Sequence, residues 1–147
     1  MTRTRVLAAD DGSILPLTIF FGMLSLVLIL LVVAATSLYL ERKRLFTLAD
    51  GAALAGAEAF TLDSVTLDGS TPTASLDSAD VHAAASEFLA ENPVTAFDHL
   101  ELVEADSLDG ASATVRVAAT WHPPVVSLLV PDGIRLEARS VARSVLW

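Results

Sequence analysis

The chain contains no cysteine, which excludes a disulfide framework and thiol chemistry and leaves no basis for inferring a redox compartment. Basic residues are confined to Arg3, Arg5, Arg42, Lys43, Arg44, Arg116, Arg135, Arg139 and Arg143. Between Leu45 and Val115 there is none, against thirteen Asp and Glu. A segment of that charge repels nucleic acid and anionic lipid, so DNA and RNA are not expected as partners. Charge of either sign is missing over residues 14–40. Recognisable catalytic motifs are missing as well: there is no Gly-rich phosphate loop and no G-x-S-x-G.

What is present is apolar. The hydrophobic fraction is 53%, above the roughly 45–50% of an ordinary soluble domain, and most of the excess sits in residues 14–40. As a helix this run would be ~40 Å long, more than the ~30 Å hydrocarbon core of a bilayer. Seventeen of its 27 residues are Leu, Ile, Val or Phe. Insertion is then favourable by about 5–10 kcal/mol, with no charged side chain opposing it. A removable secretory leader is the competing explanation, and Arg3 and Arg5 would suit one. A leader's apolar region is typically about 7–15 residues, however, and here Glu41 and the basic cluster Arg42, Lys43 and Arg44 follow as a stop-transfer flank would. A retained transmembrane helix is expected. Its orientation is not set by charge, because basic residues flank both ends almost equally.

Past Arg44 the helical pattern continues. Leu38, Leu45, Ala52 and Ala59 recur every seven residues, with Leu48, Ala55 and Leu62 in a neighbouring column. One helix from about Leu15 to Phe60 is predicted. Gly51 and Gly56 each cost it about 1 kcal/mol relative to Ala. Ala49, Ala53 and Ala57, with Ala52 and Gly56, form a small-residue face that lets another backbone approach closely. Either the protein's own domain or a partner's helix could cover this face; a partner subunit is the expectation.

Residues 63–79 are rich in Ser, Thr, Asp, Pro and Gly and read as a loop. "SADVHAAASEFLAEN" predicts a short helix from Ser78, with Asp80 in its first turn and Val81, Ala84, Ala85, Phe88 and Leu89 on one face; Asn92-Pro93 stops it. "FDHLELVEA" alternates imperfectly, as a strand with an irregularity. "ASATVRVAATW" alternates cleanly, Pro123-Pro124 ends it, and the apolar "VVSLLV" leads to a Pro131-Asp132-Gly133 turn and a last strand in "IRLEARSVARSVLW". The fold class is α+β: a single N-terminal transmembrane helix extending into a long helix, then a small extramembrane domain with one short helix and about three antiparallel strands. The corresponding organisation is residues 1–13 as a short leader, 14–40 as the span, 41–62 as the helix continuation and 63–147 as the domain.

Chemistry has little to stand on. His82, His99 and His122 are scattered, with no ligand at metal-binding spacing. Asp77 and Asp80, or Asp106 and Asp109, could touch a cation, but no EF-hand order appears, and solvated loops account for them. Trp121-His122-Pro123-Pro124 fits an aromatic-proline contact surface or simple strand termination. No enzyme activity, cofactor or metal is expected.

Residues 10–60, "DDGSILPLTIFFGMLSLVLILLVVAATSLYLERKRLFTLADGAALAGAEAF", resemble the N-terminal region of TadG-like proteins of the tight-adherence (Flp) pilus assembly system. The acidic-Gly start, the single long apolar helix, the Tyr-Leu with its basic cluster and the "LADGAALAGA" ending carry the resemblance. The C-terminal two thirds resemble small TadE/TadG-like proteins in pattern only. The resemblance implies a pilin-like architecture with a cytoplasmic N-terminus, an extracytoplasmic domain at the bacterial cytoplasmic membrane, and a structural or accessory role in pilus assembly. Its implied partners are the lipid bilayer and other pilus-assembly or secretion-system membrane subunits. It also implies a prepilin-peptidase site at Gly12-Ser13, although Leu17 stands where pilins carry a glutamate. Two other readings remain: a membrane-tethered adhesive or ligand-binding domain, and a secreted protein with a removable leader.

Overall fold

A computed structural model describes residues 14–68, 71–92, 97–123 and 131–144. The first element, α1 (Ile14–Ala57), is a continuous helix of 44 residues, roughly 66 Å long at 1.5 Å per residue. Pro16 lies in its first turn, where a missing backbone donor is harmless. The predicted bounds hold to within a few residues. From residue 14 to residue 40 no side chain is buried. This part of α1 is long and apolar enough to cross a membrane. Burial begins abruptly at Leu45 and recurs at Leu48, Ala49, Ala52, Ala53, Gly56 and Ala57.

Residues 63–79 are not wholly loop. After a 3₁₀ turn, β1 (Val65–Asp68) and β2 (Thr71–Ala74) pair antiparallel as a separate hairpin. The polar, Pro-containing composition pointed to a loop, but β-branched Val65, Thr66, Thr71 and Thr73 on either side of Asp68-Gly69 carry a hairpin signal. Pro72 is compatible because each strand of a two-stranded ribbon has a free edge.

The second helix, α2 (Ser78–Glu91), starts where predicted. Asp77 caps it, its carboxylate accepting from the Ala79 N–H at 2.7 Å. At the other end the backbone N–H and side-chain Nδ2 of Asn92 both donate to the Phe88 carbonyl at 3.0 Å. The three predicted strands follow as β3 (Asp98–Asp106), β4 (Ser112–Trp121) and β5 (Ile134–Arg143), in an antiparallel sheet of order β3-β4-β5. The β4–β5 register runs unbroken from Ser112↔Arg143 to Trp121↔Ile134. The irregularity expected in β3 is real: its register shifts between Asp98 and Glu101 and again between Leu102 and Glu104, and His99 adopts φ 54°. The Pro123-Pro124 stop and the "VVSLLV" stretch lie largely outside the described residues.

The two helices cover one face of this sheet. Val115, Val117 and Ala119 of β4 and Ala138 of β5 meet Leu45, Ala49, Ala52 and Ala53 of α1 and Val81 and Ala85 of α2 in a single core. The long helix is therefore both the apolar arm and the main wall of the domain.

Candidate functional site

The small-residue face of α1 is the place where helix, second helix and sheet converge. Ala49, Ala52 and Ala53 are completely inaccessible and Ala57 is 1% exposed. Their covering comes from the chain itself, which corrects the expectation of a partner subunit there. The helix that approaches α1 closely is α2. A Cβ on Gly51 would stand 2.5 Å from Phe88 Cζ, and one on Gly56 3.0 Å from Val81 Cγ1 and 3.2 Å from Ala113 Cβ. Both glycines thus have a packing reason that the sequence did not disclose, because heptad spacing reveals a face and not what lies on it. Phe88, predicted on the apolar face of α2, is the side chain that fills the space over Gly51.

Arg42, Lys43 and Arg44 are exposed, on the turn of α1 just before burial begins. Arg44 reaches Glu41 at 3.8 Å, and the Arg42 guanidinium lies 5.8 Å from the Phe46 ring. Exposed contacts of this kind are worth about 0–1 kcal/mol and leave the cluster's charge available to surroundings. Gly12 and Ser13 lie outside the described residues.

A contact that the sequence did not suggest ties the near end of the sheet to the apolar arm: Trp121 Nε1–H donates to Ser37 Oγ at 3.3 Å. Trp121 is buried, so the end of β4 sits beside α1 well before the helix's own buried stretch.

The acids considered for cations are occupied by local structure. Asp77 is a helix cap, as above. Asp109 accepts from the Ala111 and Ser112 N–H groups at 2.9 and 2.6 Å and from Ser112 Oγ at 2.9 Å. The Ala111 backbone bond, followed by the two from Ser112, lowers its pKa below the usual carboxylate value. Among the described residues no three His, Asp or Glu side chains cluster as a metal site would require. His122 Nδ1 lies 3.1 Å from Asp98 Oδ2, His82 Nδ1 3.5 Å from Ser86 Oγ, and His99 is an exposed strand residue.

The face of the sheet turned away from the helices carries a cross-strand charge ladder. Arg116 of β4 pairs with Glu104 of β3. Arg135 of β5 donates from Nη1 to Glu101 of β3 at 3.1 Å and from Nε to Glu137 at 3.2 Å. Those bonds, to Glu137 first and Glu101 second, raise its pKa further above the ordinary arginine value. Ala118, between Glu101 and Glu137 in the register, is only 1% exposed beneath this bridge.

Comparison with known families bears on α1. Residues 12–59 match the family model Tad, Flp pilus-assembly TadE/G-like, which is the family that the quoted N-terminal residues resemble. The match covers the whole of α1 and stops before the sheet. No curated protein and no solved structure matches the chain.

Proposed function

We propose that this chain, with its TadE/G-like residues 12–59, is a membrane-anchored structural or accessory component of a Flp-type pilus-assembly apparatus. The coincidence of the family match with α1 carries the reading. The matched segment includes the apolar arm, the exposed Arg42, Lys43 and Arg44 cluster, and the small-residue face on which the domain is built. In this reading residues 14–40 cross the bacterial cytoplasmic membrane once and the basic cluster lies at the headgroup level. The N-terminus is cytoplasmic, and the acidic domain, with no Lys or Arg between Leu45 and Val115, lies outside. The role is one of assembly and not of catalysis.

Leu17 occupies the position of the pilin glutamate, so the helix has no buried carboxylate that must find a neighbour's amine. The protein accordingly stays in the membrane, pseudopilin-like in architecture, with cleavage at Gly12 partial or missing. The deciding experiment combines loss of the gene with a fusion after Trp147. Pilus assembly should fail without the protein, and alkaline phosphatase at Trp147 should be active. An inactive phosphatase, with a cytoplasmic reporter active at the same point, would refute the topology. Normal pili in the deletion strain would refute the role.

A further inference from the structure

The charge ladder has two unequal margins. Along β3 the outer face carries Asp98, Glu101, Glu104 and Asp106, and along β5 it carries Arg135, Arg139 and Arg143 around a single Glu137. Arg135 is bound within its own sheet, but among the described residues neither Arg139 nor Arg143 is in a salt bridge. Between them Val141 stands 57% exposed. No described strand pairs with the outer edge of either β3 or β5.

We propose that the β5 margin is a docking surface for the β3 margin of a second copy of this chain, side by side in the same membrane. The inference rests on the membrane-anchored reading, because the anchor fixes the geometry. Copies held by the same helix stand at the same height, so residues at one level of the sheet meet. Thr120 of β4 pairs with both Asp98 and Arg135, and Arg116 pairs with both Glu104 and Arg139. Arg135 therefore faces the neighbour's Asp98, and Arg139 the neighbour's Glu104. Glu137 meets Glu101 at the level of Ala118, where Arg135 of each copy already holds both acids of that copy.

Two alternatives fit less well. A two-fold β5–β5 contact about the membrane normal would bring no row of acids to Arg139 and Arg143, and one about an axis perpendicular to the sheet would point one anchor out of the membrane. A continued backbone ladder is opposed by the two register shifts in β3, which blunt its edge. The contact is a paired row of side chains. It is also head-to-tail, so each copy leaves one margin free for the next and the association extends as a row.

The chain's lack of cysteine makes the test direct. Val141→Cys and Val103→Cys, both exposed positions, are placed in two differently tagged copies of the full-length protein. Native membranes are then treated with a short bismaleimide. The expected product joins the two tags, forms far less with Val141→Cys alone, and weakens as salt is raised. Arg139→Glu should lower its yield about tenfold, and a neighbour carrying Glu104→Arg should restore it. Glu104→Arg also removes the partner of Arg116, so Arg135→Glu against Asp98→Arg provides a second exchange should that variant not fold. Products from Val141→Cys alone, products with an unrelated membrane protein only, or no product in correctly inserted protein would overturn the proposal. Insertion is read separately by the Trp147 fusion, so failure of the anchor and failure of the contact are distinguishable.

Discussion

Trp121 and Ser37 stand 84 positions apart in the chain, yet the indole N–H of one donates to the hydroxyl of the other at 3.3 Å. Ser37 belongs to the uncharged run, four residues before Glu41. The sheet therefore reaches down the helix to the level at which the proposed span ends. Trp121→Phe keeps most of the buried ring and removes the donor. It should cost about 0.5–1.5 kcal/mol of domain stability in detergent-solubilised protein. Ser37→Ala should cost a similar amount, and the double variant no more than either alone. Additive losses in denaturant unfolding would show that the two groups act independently.

Ala53 separates the two accounts of the small-residue face. The residue is inaccessible within the chain's own core, so Ala53→Leu should destabilise the domain by about 1–3 kcal/mol or prevent its folding. Loss of assembly with unchanged thermal unfolding would instead restore the partner-helix reading.

Gly110 and Gly133 both adopt positive φ, 65° and 69°, but their surroundings differ. A Cβ on Gly110 would meet only Ser75 Oγ, at 3.7 Å, whereas one on Gly133 would stand 2.6 Å from Thr120 Cγ2 and 2.9 Å from the Trp121 carbonyl oxygen. Gly110→Asn should therefore lose at most about 1 kcal/mol, since Asn tolerates the left-handed region. Gly133→Asn should lose roughly 1–3 kcal/mol and loosen the turn that leads into β5. Equal losses in parallel melting curves would contradict this ranking.

Asp109 provides a pH signature. Its folded-state pKa lies below the unfolded value, so its contribution is fully present above the ordinary carboxylate range and is lost as pH falls through the folded value. Relative to the parent protein, Asp109→Asn should unfold at a lower temperature near neutrality, and the difference should shrink in acid. A difference independent of pH would remove the carboxylate's charge from the explanation.

The parts that sequence made legible are those set by local periodicity and punctuation. Leu45, Leu48, Ala52 and Gly56 mark one helical face, Asp77 and Asn92 bracket α2, and alternation marks β4 and β5. The β1–β2 hairpin was missed because its strands are only four residues each and the surrounding Ser, Asp, Pro and Gly outweighed the β-branched signal of Val65, Thr66, Thr71 and Thr73. What covers the small-residue face was hidden for a different reason: Phe88 and Gly51 meet only when two helices cross. The charge ladder was the least visible, because the pairing of Arg135 with Glu101 depends on a register shifted by an irregular β3.

One consequence of the uninterrupted helix concerns motion. In the proposed arrangement only residues 41–44 separate the lipid-embedded run from Leu45, the first residue of the domain's core, and all four are helical. There is no hinge at the bilayer surface, so the domain cannot swivel independently of its anchor. Ala57 lies ~25 Å along the axis beyond Leu40, and tilting the span by about 10° would sweep that far end by ~4 Å. A neighbour that shifts the lipid-embedded half of the rod thereby aims the half that carries the domain, and the anchor acts as a lever.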